Sequence, residues 1–165
     1  MTHRDLVLAG KKWLSRNGCS VVVTEVASAS NETPDVIGFR YNQSVLIEVK
    51  MSRSDFLADK KKLFRQFQPY GMGNYRYYLA PKGVLQLEDM PDKWFLLEYK
   101  NRRIYGNKPH LKTSNNGWQP SNIANEKILL QSVCRRVAFK YGDLDNIIHA
   151  VNAPPTLSGA FSALW

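Results

Sequence analysis

The chain has 165 residues, 44% of them hydrophobic and 22% charged, and carries a net charge of +9. That length suits one domain with a real core, and no apolar run approaches the roughly 20 residues of a membrane span. Two cysteines, Cys19 and Cys134, exclude a disulfide framework, and the opening Met-Thr-His-Arg-Asp lacks the apolar centre of a secretion signal, so a cytoplasmic setting is expected. The basic balance points to a polyanionic partner, of which nucleic acid is the commonest.

In chain order, residues 3–17 read as a helix, with Thr2 as its N-cap, Leu6, Ala9, Trp13 and Leu14 at helical spacing, and Asn17-Gly18 as its stop. The run 20–26 reads as a strand, and a small polar loop follows. Strands over about 35–41 and 44–51 make a hairpin around Asn42-Gln43. Residues 53–67 read as one helix, capped by Ser52 or Ser54, with an apolar stripe of Phe56, Leu63, Phe64 and Phe67. A turn over 68–73 leads to a strand over 74–80, which Pro81-Lys82-Gly83 breaks. Its tyrosines, with Trp94, fit core packing better than base stacking.

A second hairpin spans 94–99 and 103–105. Residues 107–120 look irregular. Residues 121–141 read as a helix with Ile128, Leu129, Val133 and Val137 inward, and 142–165 show no clear element. The order is helix, strand, strand, strand, helix, strand. It predicts an α/β fold, a mixed central sheet flanked by helices, with the first three strands antiparallel. One domain is expected over 1–150 and a C-terminal tail over 151–165.

The chemistry concentrates on the first hairpin. Pro34-Asp35 is followed by Glu48-Val49-Lys50, and Glu48 interrupts an apolar run that looks like a central strand. Charged residues are rarely buried without a partner. With Asn42-Gln43 as a two-residue loop, Tyr41 pairs with Ser44 and Asp35 falls opposite Lys50. Alternation then puts Asp35, Glu48 and Lys50 on one face, and Val45, Ile47 and Val49 on the other, toward a helix. Asp35 and Glu48 become diagonal neighbours roughly 7 Å apart at the backbone. Two carboxylates at that spacing suit one hard cation, since Mg²⁺ takes oxygen ligands at roughly 2.1 Å.

Three basic runs accompany this face: Lys60, Lys61, Lys62 and Arg65; Lys100, Arg102, Arg103, Lys108 and Lys112; and Arg135, Arg136 and Lys140. The three histidines, His3, His110 and His149, are far apart and show no metal-ligand spacing. No Walker-type loop or dinucleotide fingerprint is present.

These residues and this element order resemble the PD-(D/E)xK nuclease superfamily, of restriction-endonuclease-like fold, over roughly residues 3–82. The run from Ile47 through Glu48 and Lys50 to Phe56, with Asp59 and Lys61, is also similar to MmcB-like DNA repair proteins. The resemblance implies that Asp35 and Glu48 bind catalytic Mg²⁺ or Mn²⁺, with the backbone carbonyl of Val49 as a further ligand. Lys50 would orient the attacking water or stabilise charge on the phosphate. Family members often add another acid from the first helix or strand. Glu25 suits that role better than Asp5. Lys60, Lys61 and Gln66 could reach the scissile or adjacent phosphate, and the segment around Arg102, Arg103 and Lys108 could hold the backbone.

The expectation is a metal-dependent endonuclease or nickase acting on DNA, in repair, recombination or phage DNA processing, with RNA left open. The alternative is a non-catalytic nucleic-acid-binding or accessory module on the same fold. A homodimer or a protein partner stays open, and no membrane association is expected.

Overall fold

The computed structural model describes residues 1–106 and 117–152. Six strands form one sheet in sequence order: β1 (Val21–Thr24), β2 (Val36–Arg40), β3 (Gln43–Val49), β4 (Tyr75–Pro81), β5 (Trp94–Lys100) and β6 (Arg103–Gly106). The β1–β2, β2–β3 and β5–β6 pairs are antiparallel, and β3–β4 and β4–β5 are parallel. The fold is therefore α/β with a mixed sheet flanked by helices.

Helix α1 (His3–Arg16) covers one face of the sheet. Thr2 and Asp5 close its first turn reciprocally in a capping box, and the Asn17 amide closes its last. Its Leu6, Val7 and Leu14 pack into a core with Val36, Val45, Ile47, Val49, Tyr77 and Leu79. The odd-numbered residues of β3 thus face α1, as strand alternation requires. The helix comes so close at Gly10 that a Cβ there would stand 3.3 Å from Val36 Cγ2.

The even-numbered residues of β3 and β4 face α2 (Arg53–Lys60) and α3 (Leu63–Gln66), with Phe56 edge-on to Tyr78 at 4.9 Å. Strand β4 is buried from Tyr75 to Ala80, and Tyr78 stacks on Trp94 at 4.4 Å. These aromatics are core.

Several elements differ from the sequence reading. The hairpin turn is Tyr41-Asn42, with Tyr41 at φ +47°, and Gln43 already pairs with Arg40. Val36 pairs with Ile47, so continuing the register sets Asp35 across from Glu48 rather than Lys50. A shift of two residues keeps every side chain on its face. The single helix expected over 53–67 is broken at Lys62, whose backbone is extended (φ −66°, ψ 139°). Leu63 and Phe67 of its apolar stripe are exposed, whereas Arg65 is buried. A helix α5 (Leu144–Asn152) stands where no clear element was expected, after a left-handed Gly142 (φ +99°).

The chain divides into two compact units, Met1–Leu129 and Leu130–Trp165, with the boundary inside α4 (Ile123–Tyr141) and inside the 1–150 span read as one domain. The first holds the sheet, α1–α3 and the start of α4, where Leu129 is buried and Glu126 accepts from Ser44 and from the Gly73 amide. The second holds the rest of α4 and α5. Among the described residues no helix is long and apolar enough to cross a membrane.

Candidate metal centre

Four chain segments converge where β1 ends and β2 begins. Glu25 follows β1 in the left-handed region (φ +50°), and its amide donates to the carbonyls of Pro34 and Asp35 at 3.1 and 3.2 Å. A non-glycine residue there costs on the order of 1 kcal/mol. That backbone tie holds Glu25 beside Asp35. The first turn of α1 brings His3 between them, with Nδ1 3.7 Å from Glu25 Oε1 and Nε2 3.5 Å from Asp35 Oδ1. His3, Glu25 and Asp35 each offer one ligand atom, and these atoms lie within 4.8 Å of one another.

Asp35 is the hinge of the site. Its other oxygen, Oδ2, accepts from the Val49 amide at 2.8 Å. Burial pushes its carboxyl up, and the Glu48 carboxylate pushes it further, to about 6, against the Val49 hydrogen bond and the charges of Lys50 and His3. Val49, expected to offer its carbonyl, thus meets Asp35 through its N–H.

Behind this open cluster lies a buried charge network. Glu32, Glu48 and Asp59 surround Arg65, whose guanidinium bonds Glu32, lies 2.8 Å from Glu48 Oε1 and donates to Asp59 at 2.9 Å. Lys50 sits between Glu48 (3.5 Å) and Asp59 (3.4 Å). Lys62 reaches Asp59 from the rim at 2.8 Å, and the Tyr78 hydroxyl donates to Asp59 at 3.0 Å. Three carboxylates meet three cations, so the net charge of this knot is zero. Burial alone would raise the Asp59 carboxyl, but the Arg65 and Lys50 charges and the hydrogen bonds from Lys62 and Arg65 hold it well below the usual range. Glu32 goes the other way, because burial outweighs Arg65 even with the Met72 amide donating to it at 2.7 Å.

The donor set at His3, Glu25 and Asp35 fits a divalent cation: one imidazole nitrogen and two carboxylates, accessible from solvent. Imidazole suits first-row transition ions better than Mg²⁺. Glu48 fits less simply. Its Oε1 is buried without a directed hydrogen bond, which leaves a lone pair free, but the Arg65 charge lies 2.8 Å away and opposes a second cation.

The structure thus brings Asp35, Glu25, Glu48 and Lys50 into one neighbourhood. Lys60 turns away, donating to the Asp89 carbonyl at 3.5 Å, and Gln66 donates to the Lys61 carbonyl at 3.3 Å. Lys61 is exposed. Arg102 stands exposed on the β5–β6 turn, where Asn101 and Arg102 both take positive φ (+50° and +61°), and Arg103 stands exposed at the start of β6. Lys108 lies outside the described residues.

Sequence reasoning set His3 aside and passed over Glu32 and the role of Arg65. His3 has no spacing signal, because its partners lie far along the chain. Glu32 sits in a polar loop, and Arg65 is hidden in a basic run.

No protein-family model and no curated protein matches the chain. Its fold is similar to a solved structure, the SPO1766 protein of unknown function from Silicibacter pomeroyi, with a TM-score of 0.58 and 17% identity over 96% of this chain and 98% of that one. A likeness at that identity shows the fold alone.

Proposed function

We propose that the chain is a Mg²⁺- or Mn²⁺-dependent deoxyribonuclease, an endonuclease or nickase on a restriction-endonuclease-like core. The observation that carries this reading is the meeting of His3, Glu25 and Asp35 beside Glu48 and Lys50. The antiparallel β1–β2–β3 run followed by a parallel β4 supports it.

In this reading His3, Glu25 and Asp35 would hold the ion, and Glu48 lies behind them in the buried network. A bound divalent ion neutralises phosphate charge and lowers the pKa of water. The Val49 amide fixes the Asp35 carboxylate, and its elevated pKa makes protons compete with the ion up to about pH 6. Lys50, held by Glu48 and Asp59, supplies positive charge toward the developing phosphate charge. Lys61 and the β5–β6 arginines would hold the backbone without reading sequence.

The test is a panel of supercoiled plasmid, linear duplex, single-stranded and branched DNA, with an RNA arm, incubated in Mg²⁺ or Mn²⁺. Cleavage by wild type and its loss in Asp35→Asn are expected. No cleavage of any substrate, or equal cleavage by Asp35→Asn, sinks the reading.

One observation favours a second reading, a non-catalytic nucleic-acid-binding module. Arg65 already neutralises Glu48, as a cation in that place would. Metal-titration calorimetry on wild type and Glu48→Gln separates the two. A nuclease site loses affinity on that change, and a module with Arg65 as its permanent cation does not.

A further inference from the structure

A groove of about 1130 Å³ runs between α1 and the β5–β6 hairpin. Lys12 and Arg16, one helical turn apart on α1, line one wall, and Arg102 and Arg103 line the other. Half-buried Trp13 and Tyr99 lie between them. The four cations are exposed, and none forms an ion pair with a described residue. Asp5, the one acid among the described lining residues, accepts from the Thr2 amide at 2.7 Å. Unpaired like charges facing each other across a gap repel, and a polyanion laid between them relieves that repulsion.

We infer that this groove is a nucleic-acid track, in which both walls contact the phosphate backbone and Trp13 and Tyr99 offer ring surface to bases. The volume exceeds a typical small-molecule pocket, and the lining is drawn from the length of a helix, which suits a polymer better than a single small anion. His3, at one end of α1, belongs to the metal cluster. Arg16 at the other end lies about 20 Å away along the helix, at 1.5 Å per residue. At 3.6 residues per turn Lys12 and Arg16 face about half a turn away from His3, so the groove is a surface separate from the cluster. This rests on the reading of the chain as acting on nucleic acid and adds a surface that holds the substrate away from the metal cluster.

The experiment measures fluorescence anisotropy of labelled single-stranded and duplex oligonucleotides in EDTA across a salt series. The variants are Lys12→Glu with Arg16→Glu, Arg102→Glu with Arg103→Glu, and the rival pair Lys60→Glu with Lys61→Glu at the end of α2. All six positions are exposed, and circular dichroism melts verify folding. Each groove pair is expected to weaken binding about tenfold or more and to lower the slope of log K against log salt by nearly two, with the α2 pair affected less. Unchanged binding by both groove pairs, loss only in the α2 pair, or no binding by wild type overturns the track. So does full competition by inorganic pyrophosphate at micromolar concentration, which marks a small-anion site. Because EDTA removes any metal, a protein that binds through the groove but never cuts would sink only the nuclease reading.

Discussion

Two charged regions lie side by side in this protein and obey opposite rules. In the knot of Glu32, Glu48, Asp59, Lys50 and Arg65, closed at its rim by exposed Lys62, each carboxylate has a cation and every charge but that of Lys62 is buried. In the His3, Glu25 and Asp35 cluster the carboxylates are partly exposed, share one imidazole, and Asp35 is pushed toward its protonated form. The first arrangement is complete as it stands. In the second, His3, Lys50 and the Val49 amide offset the carboxylate charge only in part among the described residues, and Glu25 keeps a left-handed backbone. The knot pairs its charges internally, and the cluster keeps ligand atoms open to solvent.

The largest expected effect tests the knot. Arg65→Met removes a cation from three buried carboxylates and should cost about 3–5 kcal/mol in urea unfolding at pH 7. Arg65→Lys should recover little, because an ammonium cannot present the guanidinium's fork to several carboxylates at once. A loss below about 1 kcal/mol for Arg65→Met would show that the knot is not the anchor described.

The sharpest contrast comes from two Asp→Asn changes with opposite signs. Asp59, held low by its cations, stabilises the fold at neutral pH, and Asp59→Asn should destabilise by several kcal/mol, about the cost of breaking a buried pair. Asp35 is raised to about 6, so between its unfolded value and 6 the folded chain binds the extra proton. Stability of the metal-free protein therefore falls as pH rises through that window. Asp35→Asn keeps an acceptor for the Val49 amide and removes the repelled charge. It should stabilise the metal-free protein on the order of 3 kcal/mol at pH 8 and hardly at all at pH 3.5. Destabilisation at pH 8 would break the comparison.

A third measurement concerns ligand binding alone. Glu25→Gln and His3→Ala should change stability by less than about 0.5 kcal/mol. Each should weaken Mn²⁺ binding about tenfold or more in calorimetry. If both bind Mn²⁺ as wild type does, the cluster is not a metal centre.

The smallest effect links the two regions to α1. Thr2→Ala removes the N-cap beside His3 and should cost about 1 kcal/mol. A modest further loss of Mn²⁺ affinity is expected, because the first turn that carries His3 would fray.

Much of the fold could be read locally. Thr2, Asp5 and Asn17-Gly18 mark the ends of α1, and the alternation of Val45, Ile47 and Val49 names the face that α1 covers. Errors arose where local pattern competes with distant charge. Leu63, Phe64 and Phe67 suggest one continuous helix, yet Arg65 has three carboxylates to reach, and the chain breaks at Lys62 to let it. The Tyr41-Asn42 turn moved the strand register by two, which preserved the face and changed the partner.

The sequence by itself determined the α/β order, the position of the acid-bearing hairpin and the basic character of the surface. Those follow from periodicity, capping and composition, all properties of neighbours in the chain. Tertiary structure alone decided that Glu48 belongs to Arg65 and that His3 joins Glu25 and Asp35. Coulombic and hydrogen-bonding partners are chosen by proximity in space, and no spacing along the chain records which residues, dozens of positions apart, the sheet will bring within 4 Å.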